Sequence, residues 1–204
     1  VSSANADAST AEDAAYSLDA SSTCTDVDSG DSLTYTISGA PSTITISSGT
    51  ISGTPVNADV GTHTITVTCT DGSSATATDS YDLTVTNTND APTVASAIAD
   101  VSTAEDAAYS LDASGTCTDV DASDTMSYTI SGGPSTITAT TAGVISGTPV
   151  NADVGAHTIT VTCTDGSSAT ATDSYVLTVT NTNDAPTVSS ANADASTAED
   201  AAYS

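Results

Sequence analysis

The chain has 204 residues and carries 26 Asp and Glu side chains but no Lys or Arg, which gives a formal net charge of −26 at pH 7. This charge repels nucleic acids and anionic membrane surfaces, which argues against both as partners. Acidic chains are often disordered, so a low-complexity disordered tract is the alternative that the sequence pattern has to exclude.

Short alternating segments follow one another along the first ninety residues. In GTHTITVTCT (61–70) every second side chain is a threonine, which is typical of a half-buried strand. LTYTI (33–37) and YDLTV (81–85) alternate in the same way, and no stretch has sustained helical spacing. We predict strands near residues 14–20, 32–38, 42–47, 50–54, 62–70 and 76–86, with an edge strand before Glu12.

These elements recur because the sequence is a tandem repeat. SGTPVNADVG (52–61) returns at 146–155, and NTNDAPTV (87–94) returns at 181–188. The seventeen residues 1–17 return at 188–204, so the chain either continues past Ser204 as a longer array or exchanges this strand with a neighbouring subunit. We predict repeats at 1–93 and 94–187, and the start of a truncated third repeat at 188–204.

About seven short strands in a unit of this length predict an immunoglobulin-like β-sandwich. The fold class is therefore all-β, with the sandwich domains in a linear array. The core is poor in large side chains, since the chain has no Phe and no Trp. Burial alone should leave each domain marginally stable, so covalent or ionic cross-links are expected.

Two cysteines per repeat are the first candidates for a cross-link. Cys69 lies on the inward face of its strand, and counting by twos from Tyr16 places Cys24 inward as well. We predict disulfides joining Cys24 to Cys69 and Cys117 to Cys163. A zinc site is the competing interpretation, although CxxC spacing and clustered His are missing, and a buried pair of free thiols is the other alternative.

Acidic and amide side chains are the second candidates. Glu occurs only at Glu12, Glu105 and Glu199, always within STAEDAAYS. Oxygen ligands of this kind favour Ca²⁺ over a transition metal, although Asp and Asn also cap turns and solvate loops. The other recurring acidic segments are TDVD (Asp26 and Asp28; Asp119 and Asp121), TDG (Asp71; Asp165) and NTND (Asn89 and Asp90; Asn183 and Asp184).

The segments AED, TDVDSGDSLTYTISG and LTVTNTNDAPT resemble the cadherin-like, dystroglycan-type repeat of large microbial surface proteins. The resemblance implies Ca²⁺ between consecutive domains, held by an early Glu, the linker and aspartates of the next domain. The linker departs from the family pattern, because Asn87 replaces the leading Asp and NDAP lacks the second Asn. The acidic DRE triplet is also missing, and Asp59 or Asp153, in VNADVG, lies in about the corresponding region. Fewer or looser ions are therefore expected. The implied ligands are Glu12, Asn89, Asp90, Asp119, Asp121 and Asp165 at the first junction, and Glu105, Asn183 and Asp184 at the second.

Catalysis finds no support in the sequence. GxSxG, HExxH, P-loop and dinucleotide-binding patterns are missing, and His63 and His157 mark one strand position per repeat. We predict that the protein is not an enzyme.

Two function classes remain. The first is an extracellular spacer or fibre: a calcium-stiffened repeat of a surface adhesin or filament, contacting neighbouring repeats or subunits head to tail. The alternative is a binding module for glycans or another ordered surface. Sugar-binding platforms need exposed aromatic rings, whereas Trp is absent and Tyr16, Tyr35 and Tyr81 fall on the inward pattern. Disulfides, low-affinity Ca²⁺ and strong acidity predict an extracellular or cell-surface location.

Overall fold

The computed structural model describes residues 3–28, 32–121, 124–190 and 198–199. The predicted all-β fold is confirmed, because the regular structure within these ranges consists of strands and two three-residue 3-10 turns, Asn57–Asp59 and Asn151–Asp153. No helix in the described ranges is long and apolar enough to cross a bilayer. Most of the predicted third repeat lies outside the described residues.

Within its described residues, the first unit contains seven strands in two sheets. One sheet has the order β1-β7-β6-β3 and the other has the order β2-β5-β4. The edge strand β1 runs parallel to β7, whereas the other pairs are antiparallel. The strands are β1 (Ala8–Ala11), β2 (Tyr16–Asp19), β3 (Thr34–Ser38), β4 (Ile44–Ser47), β5 (Thr50–Gly53), β6 (Gly61–Thr70) and β7 (Thr76–Thr86).

The second unit repeats this arrangement. Its sheets have the orders β9-β16-β15-β12 and β10-β14-β13, and an additional short pair joins β8 to β11. The strands are β8 (Thr93–Val94), β9 (Val101–Ala104), β10 (Tyr109–Asp112), β11 (Cys117–Thr118), β12 (Ser127–Ser131), β13 (Ile137–Ala139), β14 (Val144–Gly147), β15 (Gly155–Thr164) and β16 (Thr170–Thr180).

The single insertion between the repeats falls in a hairpin turn. β4 ends at Ser47 and β5 begins at Thr50, whereas β13 ends at Ala139 and β14 begins at Val144. Each turn contains a glycine with positive φ, Gly49 at 83° and Gly143 at 94°, a conformation that glycine adopts without the steric penalty of a Cβ. The turn therefore absorbs the insertion without changing the face to which either strand points its side chains.

Each sandwich encloses its own core. Ile65, Val67 and Leu83 are fully buried on β6 and β7, because every second residue of these strands points at the facing sheet. The tyrosines also point inward, and the hydroxyl of Tyr16 donates to that of Tyr81 at 3.2 Å. Burial raises the pKa of Tyr81 well above its usual range, so the Tyr81 hydroxyl stays neutral.

Both predicted disulfides are present, joining Cys24 to Cys69 and Cys117 to Cys163. Cys69 lies on β6, and Cys24 lies in the segment that follows β2. All four cysteines are buried. The cross-links therefore tie β6 and β15 to the segments that follow β2 and β10.

Candidate metal centre

Glu12 comes directly after β1 in the sequence, and it lies at the end of the first sandwich that is next to the linker. Its side chain is 1% exposed. Its Oε1 accepts a hydrogen bond from the backbone N–H of Thr88 at 2.9 Å, while its Oε2 is buried without a hydrogen-bond partner. A buried carboxylate is costly unless a positive charge or donors compensate it, and the sequence contains no Lys or Arg.

Two aspartates meet Glu12 from the linker and from the second unit. Carboxylate oxygens of Glu12, Asp90 and Asp121 lie within 4.8 Å of one another. The backbone N–H of Asp90 donates to Oδ2 of Asp121 at 2.8 Å, and the Asn57 amide donates to both aspartates at 3.2 Å. Hydrogen bonding, above all from the Asp90 N–H, lowers the pKa of Asp121 although its side chain is 4% exposed. The junction therefore concentrates negative charge from both units.

A second acidic group lies within the second unit, on its junction side. Carboxylate oxygens of Asp119, Asp124 and Asp165 lie within 4.8 Å of one another. The linker reaches this group as well, because Nδ2 of Asn89 donates to Oδ2 of Asp165 at 3.0 Å. The Oδ2 atoms of Asp119 and Asp124 are buried without hydrogen-bond partners.

The negative charges of this second group repel one another. Desolvation, followed by repulsion from Asp165, Asp119 and Asp121, raises the pKa of Asp124. In contrast, the hydrogen bond from the Asn89 amide lowers the pKa of Asp165. Carboxylates held this close favour a cation between them, since a cation removes the mutual repulsion.

The far end of the second unit has the same Glu in the same setting. Glu105 is 2% exposed, its Oε1 accepts from the Thr182 N–H at 2.7 Å, and its Oε2 is buried without a partner. Oxygens of Glu105, Asp106 and Asp184 lie within 4.8 Å of one another. The predicted ligand Asn183 donates to the backbone carbonyl of Asp184 at 3.3 Å.

The predicted ligands at the opposite end of the first unit stabilise turns. Oδ1 of Asp26 accepts the Asp28 N–H at 2.8 Å, and Oδ1 of Asp71 accepts the N–H groups of Ser73 and Ala75, both at 2.8 Å. Within the ranges that the structure describes, none of these three aspartates belongs to a group of three acidic side chains. These contacts are typical of Asx turns.

Sequence reasoning missed three residues of these groups. Asn57, Asp106 and Asp124 were not among the predicted ligands, although VNAD and EDAA recur in both repeats and Asp124 comes three residues after the last Asp of TDVD. Asp59, the substitute for the DRE triplet, lies away from the acidic groups. Its Oδ2 accepts the Val56 N–H at 3.1 Å and the Thr43 hydroxyl at 2.7 Å, so it closes the 3-10 turn.

The donor set of the three groups consists of carboxylates with amide side chains beside them, and includes neither Cys nor His. Hard cations prefer such oxygen ligands. The buried unpaired oxygens of Glu12, Glu105 and Asp119 supply acceptors that the protein itself leaves unused. The residues therefore fit a calcium-type ion.

The model of the He_PIG family, described as "Putative Ig domain", matches residues 1–86 and 91–180. The chain belongs to this family. The two matches correspond to the two sandwiches. None of the curated proteins matches the sequence.

Several solved structures share the fold. A human mucin-like protocadherin fragment, EC1-2, is 16% identical with a TM-score of 0.58, and the match covers 88% of this chain and 98% of that one. Mouse cadherin-23 EC22-24 is 18% identical with a TM-score of 0.56, covering 74% of this chain and 53% of that one. At these identities the likeness concerns the fold alone, which is a tandem of cadherin-like β-sandwiches.

An endo-fucoidan hydrolase from glycoside hydrolase family 107 is 26% identical over 88% of this chain. The chain spans 28% of the length of that hydrolase, and the TM-score is 0.38. A superposition this poor carries no argument about activity.

Proposed function

We propose that the protein is an extracellular structural repeat of a cell-surface adhesin or filament, acting as a spacer or fibre whose junctions are stiffened by Ca²⁺. The observation that carries the proposal is the buried Glu12, whose unpaired Oε2 belongs to a carboxylate group that includes Asp121 of the next unit. A cation bound there would contact both units and the linker at once.

Two acidic groups at this junction correspond to one or two ions. Glu12, Asp90 and Asp121 would hold one ion, and Asp119, Asp124 and Asp165 would hold the other, with Asn89 beside them. The ion supplies positive charge that the chain lacks. Affinities of order 10⁻⁴ to 10⁻³ M are typical of extracellular modules.

Acidic residues also lie at both ends of the two-unit segment. Glu105, Asp106 and Asp184 would hold an ion together with a following unit. Asp26, Asp28 and Asp71 occupy the positions that Asp119, Asp121 and Asp165 hold in the second unit, and would face a preceding unit. We propose on this basis that units of 1–93 and 94–187 associate head to tail, with neighbouring repeats or subunits as partners.

A spacer is favoured over a module that binds glycans or another ordered surface. Tyr16, Tyr81, Tyr128 and Tyr175 are buried, so these rings offer no platform for a sugar. The outer threonines form cross-strand hydrogen bonds, as in Thr66 to Ser80 at 2.9 Å, which engages part of their donor and acceptor capacity. The two disulfides support an oxidising, extracellular environment.

Small-angle scattering in Ca²⁺ and in chelator tests the proposal. Chelation should increase bending between the units, while far-UV circular dichroism keeps most of its β signal. In Ca²⁺, Asp90→Ala should increase bending between the units as chelation does, because Asp90 belongs to the acidic group that joins the units. Asp184→Ala is the matched control, since it changes the equivalent residue at the far end. Identical scattering of the wild type in Ca²⁺ and chelator would contradict calcium stiffening.

A further inference from the structure

The 3-10 turn Asn57–Asp59 brings an amide to the junction. The turn follows β5, and Asp59 fixes it by accepting the Val56 N–H. This leaves the Asn57 side chain free to reach the linker and the second unit, 33 and 64 residues further along the chain. None of the acidic segments of the sequence includes this residue.

The Asn57 amide connects two carboxylates of different origin. Its Nδ2 lies 3.2 Å from Oδ2 of Asp90 in the linker and 3.2 Å from Oδ1 of Asp121 in the second unit. An amide nitrogen carries two hydrogens and no charge, so each hydrogen has one acceptor. It is therefore a neutral donor within a group of three carboxylates.

The second repeat provides an internal comparison. Asn151 occupies the same position in an identical VNADVG segment, and its Nδ2 donates to Asp184 at 3.0 Å. Asn151 is exposed, whereas Asn57 is half-buried. The difference arises because the second unit supplies Asp121 to Asn57.

We propose that Asn57 is a positioning residue that holds the two units together when no cation is bound and that keeps the affinity of the junction for a cation low. The first role is independent of the proposed function, and the second rests on it. Without a cation, the carboxylates of Glu12, Asp90 and Asp121 repel one another, and the amide hydrogen bonds oppose that repulsion. A carboxylate at position 57 would add charge, which tightens cation binding and increases repulsion in its absence.

The test compares Asn57→Asp, Asn57→Ala and the matched control Asn151→Asp in the full chain. Measurements are made in chelator and in Ca²⁺, with calcium affinity from titration calorimetry and alignment of the units from NMR relaxation anisotropy. In chelator, the two units of Asn57→Ala and of Asn57→Asp should move more independently of each other than the two units of the wild type. In saturating Ca²⁺, Asn57→Asp should return to wild-type alignment, with roughly five- to tenfold tighter binding at the first junction. Asn151→Asp should leave that junction unchanged.

Unchanged alignment of Asn57→Ala in chelator would overturn the bridging role, whether or not Ca²⁺ binds. Equal or weaker calcium binding by Asn57→Asp would overturn the affinity role. If the wild type bound no Ca²⁺ at all, the proposed function and the affinity role would fail together, and the chelator comparison would still decide the bridging role. An unchanged far-UV circular dichroism signal and an unchanged NMR chemical-shift dispersion of the core residues in each variant would show that the units remain folded.

Discussion

Replacing Glu12 by Gln should stabilise the junction in the absence of Ca²⁺ and reduce the additional stability that Ca²⁺ provides. The substitution keeps the shape of the side chain and the acceptor for the Thr88 N–H, and it removes one negative charge from a buried position. Oxygens of Glu12, Asp90 and Asp121 lie within 4.8 Å of one another. At an effective dielectric constant between 20 and 80, each pair of charges at this spacing repels by about 1 to 3 kcal/mol.

In chelator, Glu12→Gln removes two of these repulsive pairs and places an amide donor beside the remaining aspartates. Because about 1 kcal/mol shifts the unfolding temperature of a domain of this size by 4–8 °C, the variant should unfold at least about 5 °C above the wild type. Differential scanning calorimetry measures this shift directly.

In about 10 mM Ca²⁺, an ion with a dissociation constant of order 10⁻⁴ to 10⁻³ M stabilises the wild type by roughly 1.4 to 2.7 kcal/mol. Loss of one charged ligand should weaken binding by about tenfold, so the stabilisation by Ca²⁺ should fall to roughly 0.4 to 1.4 kcal/mol, which is about a third to a half of the wild-type value. Glu105→Gln is the matched control, because it makes the same change in the acidic group at the far end of the second unit. An equal calcium-induced shift in Glu12→Gln and the wild type would refute the role of Glu12, and a lower unfolding temperature in chelator would refute the repulsion argument.

Two further predictions concern the domains themselves. Reduction of the disulfide between Cys24 and Cys69 should destabilise the first unit by roughly 3 to 4 kcal/mol on the chain-entropy model, which would lower the urea concentration at the unfolding midpoint. Free thiols found by mass analysis under non-reducing conditions would contradict the pairing. The hydrogen bond from the Thr43 hydroxyl, followed by that from the Val56 N–H, lowers the pKa of Asp59. A depressed pKa contributes stability above the unfolded value near pH 4 that is lost as the pH falls through the folded value, so Asp59→Ala should be less stable than the wild type at pH 7 and close to it near pH 2. A stability difference that does not change with pH would contradict this assignment.

Periodicity and residue usage predicted the class of fold and the covalent cross-links. Alternation with period two is a local property, because successive side chains of a strand point to opposite faces. It therefore predicted the long strands β6 and β7 within a residue or two and the inward orientation of Cys24 and Cys69. Of the tyrosines predicted to point inward, Tyr16 and Tyr81 are buried and Tyr35 is partly buried. The unique use of Glu at one position per repeat likewise singled out Glu12 and Glu105, both of which are buried with an unpaired oxygen.

The sequence pattern did not predict which polar side chains share a junction, and the folded chain was needed to identify them. An Asp that closes a turn and an Asp that faces another domain follow the same sequence preferences, so Asp59 and Asp121 could not be distinguished by pattern. The contact between Asn57 and Asp121 joins residues 64 positions apart in different units, and it depends on the path of the linker and on how the second sandwich is oriented against the first. Local periodicity carries no information about that orientation, because it is set by the packing of one folded domain end against the next.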